Sequence, residues 1–78
     1  MRLDELPLRQ TAHIAAIDWS ALDDKGARRL RELGFDEGVE IEALHRGLFG
    51  RDPIACRVGR MTIALRKKLA SAITVRPE

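Results

Sequence analysis

The chain has 78 residues, 45% of them hydrophobic, a length that suits one small domain over residues 1–78 and is too short for two. Fourteen Lys and Arg against twelve Asp and Glu leave a formal net charge of +2, which is weak evidence for nucleic-acid binding. A single cysteine, Cys56, excludes an intrachain disulfide and any site built on several cysteines, and it favours a reducing compartment. The apolar runs are too short to span a bilayer and residues 1–5 lack the apolar stretch of a secretory leader, so we expect a cytoplasmic location.

The first elements predicted along the chain are a turn and a strand. Leucines around Pro7 in residues 3–8 suit a short turn better than a helix. Thr11–Ile17 is the first strand candidate, with Ile14 and Ile17 as its core residues. Because these two residues cannot share one face of a regular strand, we expect a bulge or the end of the strand near Ala16.

The one strong helix pattern lies in residues 18–34. Ser20 or Asp23 is suited to cap its start, because either side chain can accept from free backbone N–H groups. Gly34 follows the last turn, and Phe35 is placed to close against that turn as in a Schellman ending. The apolar stripe recurs at helical spacing, on Leu22, Gly26, Leu30 and Leu33.

Period-two alternation returns after the helix and predicts a half-buried strand. Val39, Ile41 and Ala43 point to one face of it, with glutamates between them. Residues 45–52 are then predicted to form a loop.

A β-hairpin is the best-defined feature of the sequence. Two alternating apolar runs, residues 54–58 and 61–65, meet at Gly59-Arg60, which suits a two-residue turn with positive φ at its first position. Pairing is expected to begin at Asp52-Pro53, because proline has no N–H to give to a ladder. A helical turn over residues 66–71 and a short strand over residues 73–75 follow.

These elements predict a mainly β fold. About five short strands, one helix inserted after the first strand and a short helical turn before the last strand make a small barrel. A sheet of this size avoids exposed edges best by curling closed.

The sequence predicts no catalytic residue, no metal site and no cofactor site. No pair of candidate ligands has the spacing of metal ligands on one helix. No nucleophile has an evident base, and there is no Gly-rich phosphate loop. The candidate ligands weighed are His13, Glu40, Glu42, His45 and Cys56.

Leu48 and Phe49 form the most interesting candidate site. Strand alternation does not account for two large apolar residues between glycines in a loop, and exposed apolar patches can mark partner contacts. We therefore predict that Leu48 and Phe49, with Arg51 beside them, bind a protein partner. In the alternative interpretation, Phe49 folds back to cap an open end of the barrel.

The order of these motifs resembles the ferrous iron transport protein A (FeoA) family over nearly the whole chain, residues 3–75. In this sequence Arg51 separates Gly50 from Asp52, where the family commonly has Gly-Asp-Pro, and Gly59-Arg60 places its glycine first in the turn. The motifs that carry the resemblance are Leu30-Arg31-Glu32-Leu33-Gly34, Gly38-Val39-Glu40-Ile41, Asp52-Pro53-Ile54, Ile63-Ala64-Leu65-Arg66 and Ile73-Thr74-Val75.

The resemblance implies an SH3-like β-barrel that serves as a cytoplasmic accessory of FeoB, a ferrous iron transporter of the membrane with a GTP-binding domain. We expect a non-enzymatic module that binds the cytoplasmic part of FeoB without entering the membrane, and no nucleic-acid partner. Weak self-association and the transition metal ion binding associated with the family are left open. A similar barrel forms the C-terminal domain of metal-dependent repressors.

Two alternative functions are weighed against this one. A stand-alone relative of the repressor domain is weakened by the lack of a helix-turn-helix segment. A nucleic-acid-binding barrel is weakened by sparse aromatic residues and mixed charge, because base stacking needs exposed rings. The phosphate contacts of such a barrel would come from Arg28, Arg29, Arg31, Arg66, Lys67 and Lys68.

Overall fold

The computed structural model describes the backbone of all 78 residues and the side chains of all of them except Phe49. The predicted mainly β fold is confirmed, with one helix after the first strand and a helical turn before the last. In chain order the elements are a 3₁₀ turn (Leu3–Glu5), β1 (Thr11–Ile17), a second 3₁₀ turn (Trp19–Ala21), α1 (Asp24–Glu32), β2 (Glu40–Phe49), β3 (Asp52–Val58), β4 (Met61–Leu65), α2 (Lys67–Ala70) and β5 (Ile73–Pro77).

The five strands form one antiparallel sheet in the order β4-β3-β2-β1-β5. Residues 1–10, which precede β1, form the N-terminal segment. This segment lies along the outer edge of β5, through a bridge from Arg2 to Thr74 and a 2.7 Å hydrogen bond from the Val75 N–H to the Met1 carbonyl. No pairing between β4 and β5 occurs in the described part of the chain. β4 and β5 are therefore the two end strands of the sheet, and residues Met1 and Arg2 border the outer edge of β5.

The core draws on every strand of the sheet. Ile14, Ile41, Cys56, Leu65 and Ile73 are each at most 2% exposed. Burial of one such side chain contributes about 1.5–3 kcal/mol relative to leaving it in water, so these residues hold the strands together.

The alternation of buried and exposed residues predicted for the β3–β4 hairpin holds for β3 and only partly for β4. Ile54, Cys56 and Val58 are all buried. In β4, Leu65 is buried but Met61 is 43% exposed. This difference follows from the position of β4, an end strand with a neighbour on one side only.

The helix starts later than residues 18–34 suggest and ends where the sequence predicts. Asp23 caps α1, since its Oδ1 accepts the Gly26 N–H at 2.7 Å. At the other end Gly34 has φ +84°. The Phe35 N–H donates to the Leu30 carbonyl at 3.0 Å, which is the hydrogen bond of a Schellman ending.

The predicted irregularity in β1 is confirmed. Along the ladder with β5, Ile14 pairs with Val75 and Ala16 pairs with Thr74, so β1 has one residue more than its partner at this point. The extra residue bulges out and lets Ile14 be buried while Ile17 stays partly buried near the strand end.

The predicted loop over residues 45–52 is wrong. β2 continues to Phe49 and pairs with β3, which starts at Asp52, so the two strands form a long hairpin. Their pairing shifts register between Ala43 and His45 and again between Arg46 and Phe49. These irregularities break the period-two alternation by which a strand is detected in a sequence, and so the segment resembles a loop.

Candidate functional site

Leu48 lies near the tip of the β2–β3 hairpin and is 95% exposed. The other exposed large hydrophobic residues described, Met1, Leu8 and Met61, have exposed fractions of 43–52%. Phe49 pairs with Asp52 across the tip, but its side chain lies outside the described residues. Leu48 and the exposed Arg51 therefore both lie at the turn end of the hairpin. The alternative in which Phe49 caps the barrel stays a prediction.

Gly50 and Arg51 form the turn of this hairpin. Both residues have positive φ, +64° and +62°, as a type I′ turn requires. Arg51 is the residue that separates Gly50 from Asp52, so it completes a two-residue turn between the paired Phe49 and Asp52. A residue with a Cβ costs about 1–2 kcal/mol in this conformation, so the turn carries strain at Arg51.

Both strands of the hairpin are anchored close to its turn, β2 at Arg46 and β3 at Asp52. On β2, the Arg46 side chain reaches the N-terminal segment, where Nη2 donates to the Leu6 carbonyl and, at 3.4 Å, to the Asp4 carbonyl. On β3, Asp52 Oδ1 accepts the Lys67 N–H at 2.8 Å, which ties the strand to the start of α2. The Arg46 Nε atom is buried and has no hydrogen-bond partner among the described residues. The hairpin is therefore held on one side of Leu48 by Arg46 and on the other side of the turn by Asp52.

Gly47 marks a close approach between the two strands. A Cβ added there would lie 2.1 Å from the backbone carbonyl oxygen of Asp52, a distance that real Cβ atoms do not show. Only glycine fits at this position without a backbone shift, so the shape of the hairpin below Leu48 depends on it.

Of the candidate metal ligands of the sequence, His13 and Glu40 pair across the β1–β2 ladder, but the candidates do not gather into one group. His13 Nδ1 is 3.1 Å from Glu78 Oε1, and Glu42 forms an ion pair with Arg57. Cys56 is fully buried, and burial raises the pKa of its thiol to about 11. With the Phe49 side chain set aside, no three His, Cys, Asp or Glu side chains come close enough together to hold a metal ion.

The basic clusters lie on the two helices. Arg28, Arg29 and Arg31 are exposed on α1, whose first turn also carries the acidic Asp24. The Arg31 guanidinium lies 4.6 Å from the centre of the Trp19 ring, a cation–π contact that engages one of these cations. The cluster Arg66, Lys67 and Lys68 is exposed where β4 passes into α2.

The structure also has an open cleft that the sequence did not indicate. It has a volume of about 390 Å³ and is lined by Trp19, Arg31, Gly34, Phe35 and Asp36. Trp19 belongs to the 3₁₀ turn before α1, whereas the other lining residues lie in the last turn of α1 or just after it, so the tertiary fold brings Trp19 to this position. No nucleophile or histidine lines the cleft.

The sheet with its inserted helix is that of a small SH3-like domain. The chain belongs to the FeoA family, since the family model described as the FeoA domain matches residues 1–77. The resemblance inferred from the motifs is therefore confirmed. A search of curated proteins found no significant match.

Solved structures give the same result. The solution structure of iron(II) transport protein A from Clostridium thermocellum has a TM-score of 0.86 and 31% identity over 99% of this chain, which spans 45% of that chain. FeoA from Stenotrophomonas maltophilia, in a crystal structure with zinc that is described as an SH3 domain protein, has a TM-score of 0.81 and 39% identity over 96% of this chain and 88% of that chain. Family membership links the chain to ferrous iron transport, the process named for these relatives.

The fold also occurs in a different class of protein. A manganese-dependent transcriptional repressor superimposes with a TM-score of 0.87 over 100% of this chain and 41% of the repressor, at 22% identity. This likeness concerns the fold alone.

No helix among the described residues has the length and apolar character needed to traverse a lipid bilayer.

Proposed function

We propose that this chain is a cytoplasmic, non-enzymatic accessory module of ferrous iron uptake that binds the cytoplasmic part of a FeoB-type membrane GTPase. Leu48, Phe49 and Arg51 make the contact. Membership of the FeoA family supports the process, and the description of the Stenotrophomonas maltophilia relative as a candidate ferrous iron transport activating factor supports the accessory role.

The observation that carries this proposal is the exposure of Leu48 on an anchored hairpin. Burial of one leucine in an interface contributes about 1.5–3 kcal/mol before the costs of association, so an almost fully exposed leucine is an effective anchor. Because both strands of the hairpin are held by hydrogen bonds close to Leu48, little conformational entropy is lost on binding. The strained φ of Arg51 is consistent with a contact role, since such strain clusters at functional positions.

The chemistry of the chain supports a role without catalysis. The thiol of Cys56 is the one cysteine nucleophile, and its raised pKa of about 11 leaves it protonated near neutral pH. A protonated thiol is a poor nucleophile, and this one is enclosed by the core.

The decisive experiment measures binding of the chain to the purified cytoplasmic part of the transporter by isothermal titration calorimetry. Leu48→Ser should weaken binding at least tenfold, which corresponds to about 1.4 kcal/mol. The matched control is Leu8→Ser, which changes an exposed leucine on the N-terminal segment and should bind like the unchanged chain. Equal affinity for the Leu48→Ser variant and the unchanged chain would refute the proposed contact.

The double variant Leu48→Ser with Phe49→Ser separates contact from capping. If Phe49 only contacts the partner, the double variant binds more weakly than the Leu48→Ser variant and melts at the same temperature. A large fall in melting temperature would instead assign Phe49 to capping, and binding would then be attributed to Leu48 and Arg51.

A further inference from the structure

β4 ends the sheet and has an open edge. Val58 pairs with Met61 across a two-residue turn, so the hydrogen-bonded pairs with β3 fall on Met61, Ile63 and Leu65. The backbone groups of Thr62 and Ala64 point the other way, and no backbone hydrogen bond outside the β3–β4 ladder reaches them among the described residues. The N-terminal segment covers the opposite edge of the sheet, on β5, so the two edges differ.

Positively charged residues flank both ends of this open edge. Residues 53–77 contain six basic residues and no acidic one, whereas the rest of the chain has an excess of acidic residues. Arg60 precedes β4 and Arg66 follows it, and both are exposed. The nearest acidic group described for Arg66 is Asp52, at 4.0 Å, and the Arg66 side chain is still 75% exposed. Of the six, Arg57 lies on β3 in an ion pair with Glu42 and Arg76 lies on β5, so the edge itself is flanked by the other four. The six basic residues are Arg57, Arg60, Arg66, Lys67, Lys68 and Arg76.

A second copy of the chain is a poor occupant of the edge. Antiparallel pairing of two β4 strands uses both sets of edge groups only when Thr62 of one copy lies opposite Ala64 of the other. The same register places Arg60 of one copy opposite Arg66 of the other, and two-fold symmetry repeats this juxtaposition at the other end of the paired strands. Like charges directly opposite in a sheet are destabilising, so the cations oppose this association.

A strand with acidic residues at its ends would be attracted by the same two arginines that repel a second copy of β4. We propose that β4 binds an extended acidic segment of a partner protein as a sixth strand, paired at Thr62 and Ala64 with carboxylates beside Arg60 and Arg66. Main-chain hydrogen bonds supply affinity in this mode of recognition, and the flanking cations select the charge of the segment. This inference does not depend on the proposed contact of Leu48 with the transporter.

The edge favours a peptide over a nucleic acid. Donor and acceptor groups of the two outward-facing residues alternate along the edge as the groups of a peptide strand do. Binding of single-stranded nucleic acid draws on aromatic rings for base stacking, and β4 and its flanking residues contain none.

The first test titrates the isotopically labelled chain with a capped synthetic peptide of alternating valine and threonine with two glutamates at each end. Amide hydrogen exchange measured by NMR should slow at least tenfold at Thr62 and Ala64. Exchange at Ile63, which already pairs with β3, should change less. Peptides with glutamine or lysine in place of glutamate should bind at least tenfold more weakly. Protection elsewhere on the chain, or equal binding of the three peptides, would overturn the proposal.

Two substitutions test the edge and the charge separately. Ala64→Pro removes one outward N–H while keeping the β3–β4 hydrogen bonds, and proline is tolerated at such edge positions. Ala64→Pro should weaken binding of the acidic peptide at least tenfold. The Ala64→Val variant, which retains the N–H, should bind the peptide like the unchanged chain. Arg60→Glu should weaken binding at least tenfold, with Arg28→Glu as the control of equal charge change.

Circular dichroism identifies any unfolded variant. If Ala64→Pro does not fold, the affinity of the Arg60→Glu variant and the hydrogen-exchange data determine whether a strand is added at β4. Unchanged binding by folded Ala64→Pro, or by Arg60→Glu, would refute strand addition. Tighter binding of an oligothymidylate than of the acidic peptide, with the same arginine dependence, would also refute it and would assign the edge to nucleic acid.

Discussion

At Gly47 the absence of a side chain decides the path of β2. The carbonyl oxygen of Asp52 occupies the space that a Cβ would need, at 2.1 Å. The obstacle is backbone and belongs to a strand that also pairs with β4, so it cannot rotate away as a flexible side chain would.

We therefore predict that Gly47→Ala lowers the free energy of unfolding by about 1–3 kcal/mol, the usual cost of overpacking. Urea denaturation followed by circular dichroism measures the change. Leu48→Ala is the matched control, because Leu48 is adjacent and almost fully exposed, and its effect should stay within about 0.5 kcal/mol. Equal stability of the Gly47→Ala variant and the unchanged chain would show that the hairpin adjusts without cost.

Burial of Cys56 predicts a loss of stability in alkaline solution. Burial raises the pKa of the thiol from 9.0 to about 11, so between these values the unfolded chain ionises while the folded chain stays protonated. The unfolded state then binds fewer protons, and stability falls as pH rises, by at most about 1.4 kcal/mol per pH unit. Well below pH 9 the thiol is protonated in both states and has no effect on stability.

Denaturation curves recorded between pH 8 and pH 11 for the unchanged chain and for Cys56→Ala measure this effect. The Cys56→Ala variant is less stable at every pH because it leaves a small cavity, but the thiol-dependent part of its alkaline slope should vanish. Parallel pH profiles for the two proteins would contradict the buried, protonated thiol.

At the scale of the element, the turn Gly50-Arg51 requires positive φ at both residues, a conformation that favours glycine and not arginine. Arg51 has a φ of +62°, where glycine is free of the steric cost that any Cβ brings. We predict that Arg51→Gly raises the free energy of unfolding by about 0.5–1 kcal/mol, the strain relieved less the entropy that glycine loses on folding. Thermal and urea denaturation measure this gain.

Arg51→Ala separates the strain from the charge of the side chain. Alanine keeps the Cβ, so this variant should be as stable as the unchanged chain within about 0.5 kcal/mol. If the Arg51 cation contacts the partner, both variants bind it more weakly, although only the glycine variant is more stable. A glycine variant of unchanged stability would mean that the turn bears no strain at Arg51.

The elements that the sequence predicts correctly are those specified by neighbouring residues. The end of α1 depends on Leu30, Gly34 and Phe35, which lie within five positions of one another. The β3–β4 hairpin depends on two regular alternations that flank Gly59, whose φ is +58° as the two-residue turn requires. Local patterns of this kind can be recognised without tertiary information.

The features that the sequence does not reveal are non-local. The length of β2 is hidden because its register shifts interrupt the alternation. The anchor of the hairpin joins Arg46 to the Leu6 carbonyl, 40 positions away in the chain. For the candidate site, flanking glycines indicate that Leu48 is unusual. Its place on an anchored hairpin and the open edge of β4 follow only from the tertiary structure.

At the scale of the whole molecule, charge is separated along the chain. Two of the six cations of residues 53–77, Arg60 and Arg66, flank β4, and the excess of acidic residues lies in residues 1–52. An unpaired edge strand without charge invites pairing with another chain, and flanking Lys or Arg is a usual means of preventing it. The separation of charge thus leaves the edge accessible to an acidic strand while keeping copies of this chain apart.

We predict that the double variant Arg60→Thr with Arg66→Thr self-associates through β4. Removal of both cations eliminates the like-charge pairs in the antiparallel register while keeping the edge groups of Thr62 and Ala64. Sedimentation velocity at low salt should show a concentration-dependent dimer for this variant and a monomer for the unchanged chain. Salt should shift the unchanged chain towards dimer, because at 0.1 M the screening length of about 10 Å weakens repulsion between exposed arginines.

The matched control for this double variant is Arg28→Thr with Arg29→Thr, which removes the same charge from α1 and should stay monomeric. Addition of Ala64→Pro to the β4 double variant should abolish the dimer, because it removes an edge donor that the pairing needs. A dimer that forms equally with the α1 control, or that survives Ala64→Pro, would show that net charge or another surface governs association and that Arg60 and Arg66 do not guard the edge.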